Sequence, residues 1–164
     1  MSQPNEADMP ELSLESLSRR LTELEDQLAV YQLIASYGPA VDRADGAAAA
    51  ALWLENGVYD PDNIQSFNGS AAIAALVDTE IHREYLARGC AHVASLPLVR
   101  VNGDRAVAVN HSRVYARAAD VWEVVRVSAN RWELIRTADG WQVERRTNRL
   151  LDGAESKREI LAVD

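Results

Sequence analysis

The sequence is poor in cysteine, and its basic residues are outnumbered by acidic ones. Cys90 is the one cysteine among 164 residues, which excludes an internal disulfide or a metal site built from several cysteines and predicts a reducing, cytoplasmic compartment. Seventeen Lys and Arg stand against 25 Asp and Glu, a formal net charge of -8. Such a field repels phosphate backbones and anionic headgroups. We therefore expect neither nucleic acid nor membrane as a partner.

Long apolar runs and cofactor motifs are missing too. No run approaches the roughly 18 residues needed to cross a bilayer, and the N-terminus lacks the basic-then-apolar order of a secretory signal. Three scattered histidines give no metal-ligand spacing, and the chain has neither a glycine-rich phosphate loop nor a nucleophile elbow. We expect no metal and no cofactor, which leaves proton-transfer chemistry.

The N-terminal part predicts a disordered segment and then an amphipathic helix. Residues 1–10 offer little to bury, whereas residues 11–24 begin a helix with Ser13 as its N-cap. A leucine seam recurs at spacings of three and four through Leu14, Leu17, Leu21, Leu24, Leu28 and Tyr31. The seam could pair subunits of a homo-oligomer, a trimer or dimer, or it could pack on its own domain. Both alternatives stay open.

Three further helical segments are predicted. Residues 25–42 continue the helical pattern, as a second helix or as the same helix after a kink at Gly38-Pro39. Residues 43–57 indicate a turn and a short alanine-rich helix that carries Leu52 and Trp53 inward and ends at Gly57. A third helix is expected over residues 70–88, packed through Ile73, Leu76, Val77, Ile81 and Leu86.

The second half of the chain predicts strands. Four segments rich in valine, tryptophan and tyrosine, namely "LPLVRVNG", "RAVAVNHSRVYARAA", "WEVVRVSANRWELIRTADG" and "WQVERRTNRLL", are separated by Asn-Gly-Asp and Ala-Asp-Gly turns. Helices followed by a four-stranded antiparallel meander predict an α+β fold with the helices on one face of a curved sheet. Residues 153–164 are expected to form a C-terminal tail.

The order of these elements resembles a known superfamily. "YGPAVDRADG" at a helix end, "LWLENGVYD" after it, a loop histidine and a terminal "TADGWQVERR" hairpin are similar to the SnoaL-like branch of the nuclear transport factor 2-like superfamily, over residues 25–152. The resemblance implies a cone-shaped α+β half-barrel around a deep apolar pocket. It also implies a hydrophobic small-molecule ligand, since many members are enzymes acting on steroids or polyketides and others only bind or assemble.

The resemblance extends to catalytic positions of eliminating members. Scytalone dehydratase, hexachlorocyclohexane dehydrochlorinase and bile acid 7-alpha-dehydratase resemble this chain in an aspartate at the end of the first helix and a histidine before the long strands, here Asp42 and His92. The implied dyad has the carboxylate fix the imidazole tautomer, so that the other ring nitrogen abstracts a carbon-bound proton. Tyr37 is similarly implied as a pocket tyrosine and His111 as a second pocket histidine. A satisfied core position is the alternative for His111.

Further matches imply substrate-binding residues. Ser128 and Asn130 match a Ser-Ala-Asn tripeptide of scytalone dehydratase, and strand alternation puts Trp132 on their face. Arg146 matches an arginine of the dehydrochlorinase, although a solvated edge strand would also explain it. Tyr59 lies close to the place of a carbonyl-polarising tyrosine.

The expected activity is a cofactor-independent, dehydratase-type elimination on a cyclic, hydrophobic, carbonyl-bearing compound. Val41 and Pro61 stand where scytalone dehydratase has its two tyrosines, so scytalone itself is not the expected substrate. An isomerase or cyclase would use the same dyad, and a non-catalytic binding protein would keep only the pocket.

Overall fold

The structure is a computed structural model that describes residues 13–62 and 64–163; the segment predicted to be disordered, residues 1–10, lies outside these ranges. Its helices are α1 (Leu14–Asp42), α2 (Gly46–Ala50), α3 (Ser70–Ala74) and α4 (Glu80–Arg88). Its strands are β1 (Trp53–Asp60), β2 (Phe67–Asn68), β3 (Cys90–Ala94), β4 (Leu98–Asn102), β5 (Arg105–Ala118), β6 (Val121–Thr137) and β7 (Gly140–Leu150). Single 3-10 turns occupy Ala75–Asp78, Glu155–Lys157 and Glu159–Leu161.

The N-terminal helix α1 is continuous over 29 residues. The Ser13 hydroxyl accepts a hydrogen bond from the Ser16 backbone N–H at 3.1 Å, which confirms the predicted N-cap. The helix runs through Gly38 and Pro39 to Asp42 without ending, so of the two alternatives the structure has one helix rather than two. Pro39 lies in the last turn on the exposed side, where the backbone bond that it cannot make is easily replaced by water.

Two predicted helices are wrong in extent. Helix α2 ends at Ala50, and Trp53 to Gly57 belong to β1, because the Leu52 carbonyl accepts from the Val143 N–H at 2.8 Å and joins the chain to β7. The predicted helix over residues 70–88 is interrupted at Thr79, which is extended and caps α4 through its side chain. Consequently Ile81, expected in the core, is 69% exposed.

The sheet has seven strands where the sequence predicted a four-stranded meander. Its order is β2-β1-β7-β6-β5-β3, with β4 also pairing β5. All pairs are antiparallel except β1 with β7, which is parallel. The three additional strands are β1, whose first residues were predicted to be helical, the two-residue β2, and β3, which was predicted to be a loop. His92 is one consequence: it was expected in a loop but lies within β3, opposite Val114 of β5.

The predicted α+β class with helices on a curved, unclosed sheet is confirmed. Helix α1 packs its later turns against the sheet, and the core it shares with the strands is centred on Val30, Ile34, Trp53, Trp132 and Val143. Its earlier turns expose the leucines of the seam. None of the described helices is long and apolar enough to cross a membrane. This arrangement leaves the polar end of α1 beside the concave face of the long strands.

Candidate active site

Asp42 and His92 are brought together by the end of α1 and the middle of β3. The His92 ring Nδ1 lies 2.7 Å from one Asp42 carboxylate oxygen. The His92 backbone N–H donates to the same carboxylate, at 3.2 and 3.0 Å from its two oxygens. The carboxylate is thus fixed by ring and backbone of one residue. Because a carboxylate only accepts, this contact assigns the Nδ1–H tautomer to the neutral ring and leaves Nε2 with a lone pair.

The environment of Asp42 keeps it charged. Burial opposes its ionisation, but the hydrogen bonds from the His92 ring and backbone outweigh burial, and the pKa of Asp42 is lowered from its ordinary value. The dyad is only partly shielded, with the His92 and Asp42 side chains 23% and 27% exposed. At neutral pH the site therefore holds an ionised carboxylate behind an imidazole that remains accessible.

His92 lies where two chambers of the concave face meet. The inner chamber has a volume of about 80 Å³ and the outer one of about 400 Å³. Both are lined by the same five residues, Tyr37, Tyr59, His92, Val114 and Arg126. Among the described residues, none donates to or accepts from Nε2 of His92 within hydrogen-bond distance. A ligand spanning the two chambers would pass beside the imidazole ring.

The inner chamber has a polar floor centred on Asn130. The Asn130 carbonyl oxygen accepts from Arg146 Nε and Nη2 at 3.1 and 2.8 Å and from the Asn148 amide at 2.8 Å, while its own amide donates to the Ser112 hydroxyl at 3.0 Å. Asn148 in turn accepts from Arg126 at 2.7 Å. The pairing of β6 with β7 positions these side chains, because it places Asn130 directly opposite Asn148.

Arg146 lies under three aromatic rings. Its guanidinium carbon is 4.3 Å from the ring centroids of Tyr37 and Trp132 and 4.9 Å from that of Tyr59, within the range of cation–π attraction. The residue is only 4% exposed, so the solvated-edge alternative does not hold for it. Burial raises the pKa of Tyr37, although the Arg146 charge acts in the opposite direction. Tyr37 is thus a protonated phenol at neutral pH.

The other predicted residues divide into three groups. Asn130, Trp132, Arg146, Tyr37 and Tyr59 line the chambers as expected. Ser128 is buried on their strand face but accepts from Arg126 Nε at 3.2 Å and lines neither chamber. The third group is His111 alone.

The predicted pocket position of His111 is wrong. His111 is exposed, and its backbone N–H donates to the Ser95 hydroxyl at 3.1 Å. Its neighbours Asn110 and Ser112 line the inner chamber. Since successive side chains of a strand point to opposite faces, the residue between them points away.

Sequence reasoning missed His82, which it assigned to the surface. His82 lines the outer chamber, its ring centroid is 5.6 Å from that of His92, and its Nε2 is 3.0 Å from the Val41 carbonyl oxygen. Asn110, Asn148 and Arg126 were missed as well. Alternation with Asn130 on β6 and with Arg146 on β7 is the signal that could have found Arg126 and Asn148. On β5 the predicted residue, His111, lies on the opposite face from Asn110.

One group of described residues offers three metal-ligand types. The ligand atoms of Asp42, Cys90 and His92 lie within 4.8 Å of one another. In this arrangement the carboxylate and Nδ1 bind each other, and burial, followed by the Asp42 charge, raises the pKa of the Cys90 thiol. A metal would need that thiol deprotonated and the dyad opened. The absence of a metal site stays a prediction.

The arrangement of helices, sheet and chambers agrees with comparison to known proteins. The SnoaL-like domain family matches residues 22–147. The chain belongs to the SnoaL-like family. No curated protein matches it.

Solved structures give the same fold. An NTF2-like protein with a cystatin-like fold from Novosphingobium aromaticivorans is 42% identical, with 94% of this chain and 100% of that chain covered and a TM-score of 0.91. Rv3472 of Mycobacterium tuberculosis, a protein of unknown function, is 21% identical over 90% of this chain and 80% of that one, with a TM-score of 0.72. Aln2 from a Streptomyces species is 17% identical over 76% and 90%, with a TM-score of 0.68. The last two show the fold alone.

Proposed function

We propose that this SnoaL-like protein is a cofactor-independent lyase that eliminates water from a hydrophobic, cyclic, carbonyl-bearing small molecule. The observation that carries the proposal is the 2.7 Å contact between His92 Nδ1 and Asp42, placed where the two chambers meet. A base must reach the proton that it removes. Here the ring nitrogen without a protein partner belongs to a residue that lines both chambers.

The proposed step begins with the proton beside the substrate carbonyl. Nε2 of His92 takes this proton, and the electron pair of the broken C–H bond moves into the enolate. The Asp42 carboxylate stabilises the imidazolium so formed. The enolate then re-forms the carbonyl, creates the C=C bond and expels the β-hydroxyl, which leaves as water after gaining a proton. The net change is substrate to unsaturated ketone plus water.

Tyr37 is the proposed acid. It lines both chambers with His92, and burial keeps its phenol protonated. Asn130, the alternative donor, is less suitable because its amide already donates to Ser112 and its carbonyl oxygen accepts three hydrogen bonds. A phenol is a weak acid in water, so Tyr37 would give up its proton in concert with departure of the hydroxyl. Transfer of the proton from the His92 imidazolium to the tyrosinate then returns both residues to their resting states.

The test is a panel of cyclic β-hydroxy ketones incubated with the protein in D₂O and followed by proton NMR. We expect exchange or loss of the proton beside the carbonyl together with formation of the unsaturated product. His92→Gln should lower the rate by about 10²–10⁴-fold, the range for a general base. His111→Gln is the matched control, since His111 lies on the opposite face of β5, and its rate should equal that of the wild type.

The outcomes separate the alternatives. Exchange without elimination would favour an isomerase or cyclase that uses the same dyad. Turnover retained by His92→Gln would contradict the proposed base. Binding of panel members with neither exchange nor elimination would leave a non-catalytic binding protein.

A further inference from the structure

We infer that the inner chamber binds a carboxylate of the ligand, so that the natural substrate is an organic acid with an apolar body. The inference deepens the proposed function and rests on it only in identifying the ligand as a substrate. The carboxylate site itself depends on the residues at the floor of the chamber. The dyad alone does not require a charged substrate, because it needs only an activated C–H bond.

The inner chamber is lined by cations without a compensating anion. Arg126 and Arg146 line it, and no acidic residue does. Neither arginine is in an ion pair with a described residue. In a chain of net charge -8 this local excess is contrary to the general composition. Clefts lined by one sign of charge concentrate ligands of the opposite sign.

The floor also has more donors than acceptors. The Asn130 carbonyl oxygen already accepts three hydrogen bonds, although an amide oxygen has two lone pairs. The Asn148 carbonyl oxygen accepts from Arg126, and the Asn110 carbonyl oxygen accepts from the Trp132 indole at 3.1 Å. Arg146 Nη1 donates to none of these oxygens. A buried donor without a protein acceptor must find one on a ligand or on water.

Arg146 provides such a donor. Its Nη1 is buried and has no hydrogen-bond partner among the described residues, while its Nε and Nη2 both donate to Asn130. The residue is 4% exposed beneath Tyr37, Tyr59 and Trp132. A buried charge with an unsatisfied N–H is costly unless an anion pairs with it. Guanidinium geometry suits a carboxylate.

The sizes of the two chambers indicate where each part of the ligand would lie. The inner volume of about 80 Å³ suits a group of a few atoms. The outer volume of about 400 Å³ is in the range of small-molecule sites. Its lining is largely apolar, including Val41, Leu76, Val77, Val125 and Leu150. An acid group would sit on the polar floor, with a ring system outside it and His92 at the boundary.

The first experiment needs no variant. Isothermal titration calorimetry at pH 7 compares 1-naphthoate, its uncharged analogue 1-naphthamide and inorganic phosphate. Because the carboxylate would form charge-assisted hydrogen bonds that the amide cannot, we expect naphthoate to bind at least about 10-fold more tightly than naphthamide. Phosphate should bind more weakly than naphthoate, because it cannot use the outer chamber. Equal affinities for naphthoate and naphthamide, or phosphate as tight as naphthoate, would overturn the inference.

A pair of adjacent arginines gives a matched control. Arg146→Gln should weaken naphthoate binding by roughly 10- to 100-fold while changing naphthamide binding by less than about 3-fold. Arg145→Gln removes the same charge from an exposed position one residue earlier and should leave both affinities unchanged. Equal losses in the two variants would show that net charge alone attracts the anion. If Arg146→Gln does not fold, the comparison of ligands on the wild type decides.

Failure of the inference and failure of the proposed function have different signatures. A preference for the acid without turnover of any hydroxy ketone would keep the carboxylate site and reject the lyase. Turnover of neutral and acidic hydroxy ketones with equal kcat/KM would keep the lyase and reject the carboxylate site.

Discussion

Gly38 of α1 packs directly against the backbone carbonyl of His92 in β3. A Cβ at position 38 would collide with that oxygen. The glycine in the middle of a helical turn therefore has a packing reason, which is the close approach of α1 to β3. This approach is what sets Asp42, one turn later, against the His92 ring.

Gly38→Ala is expected to destabilise the protein by roughly 1–3 kcal/mol, the usual cost of forcing an extra methyl into a packed site. An exposed helical glycine would behave in the opposite way, since alanine there gains about 0.5–1 kcal/mol. Urea unfolding of the variant measures the change. Ser36→Ala, exposed on the same helix, is the control and should stay near the wild type. A Gly38→Ala protein more stable than the wild type would contradict the packing argument.

The tautomer of His92 should depend on Asp42. With the carboxylate present, Nδ1 carries the hydrogen and Nε2 is the bare nitrogen of the neutral ring. Asp42→Asn removes the charge that selects this tautomer, so the population with hydrogen on Nε2 should rise. Ring ¹⁵N chemical shifts of the three histidines report the populations directly.

Asp120→Asn is the control for this measurement, because the Asp120 side chain is 99% exposed and pairs with Arg117. Its histidine spectrum should match that of the wild type. Identical His92 tautomers in the wild type and Asp42→Asn would mean that the carboxylate does not orient the ring. The proposed base would then lose its positioning residue.

Some of the site was predictable because its positions follow from element order. Asp42 ends α1 as expected, and Asn130 and Trp132 share the buried face of β6. His111 was not predictable in the same way, since "VNHSRV" places polar side chains on both faces of β5. A one-residue error of phase moves every side chain to the other face, and only the pairing with β6 fixes it.

Other parts of the fold depended on contacts that local sequence does not encode. Trp53 to Gly57 follow alanines that favour helix, yet pairing with β7 draws them into a strand. His82 lies on α4, a helix of nine residues without a buried position, so periodicity does not identify an inward face. Its nearness to His92 results from the break at Thr79. In each case a long-range contact overrides the local preference.

A partly buried ion pair outside the two chambers should make stability depend on pH. Asp26 accepts from Arg136 at 2.7 and 2.6 Å and from the Trp141 indole at 3.2 Å. The Arg136 hydrogen bonds lower the pKa of Asp26 more than burial raises it. The folded pKa therefore lies below the unfolded value of about 3.9, and the unfolded state binds the proton more readily. The stabilisation is present above that value and is lost as pH falls through the folded pKa.

Asp26→Asn should accordingly lower the free energy of unfolding by roughly 1–3 kcal/mol at pH 7, a range that allows for the partial exposure of Arg136. The difference from the wild type should narrow below about pH 4, where the wild-type carboxylate also becomes protonated. Urea midpoints measured between pH 7 and pH 3 test both statements. Asp104→Asn is the matched control, because Asp104 pairs with the same arginine but is 80% exposed, and it should lower the free energy of unfolding far less. If the difference in unfolding free energy between Asp26→Asn and the wild type stayed constant with pH, the pKa shift of Asp26 would not contribute to stability.

The leucine seam of α1 predicts self-association. Leu14, Leu17, Leu21, Leu24 and Leu28 are 45–87% exposed. Val30, which is fully buried, follows Leu28 by two residues and so lies about 200° around the helix from it. The leucines thus face away from the core of their own chain. Contiguous apolar surface of this kind marks an interaction site, and a second copy would cover it with the same seam.

Leu21→Glu should shift the protein from an oligomer toward the monomer in light scattering coupled to size exclusion. The reason is that a charge at the centre of the seam would be buried without a partner on association. Thr22→Glu adds the same charge one residue later, about 100° around the helix, and should leave the mass unchanged. A wild-type protein that is monomeric at high concentration would contradict the prediction. An oligomer whose mass Leu21→Glu does not alter would instead assign the interface to another surface of the chain.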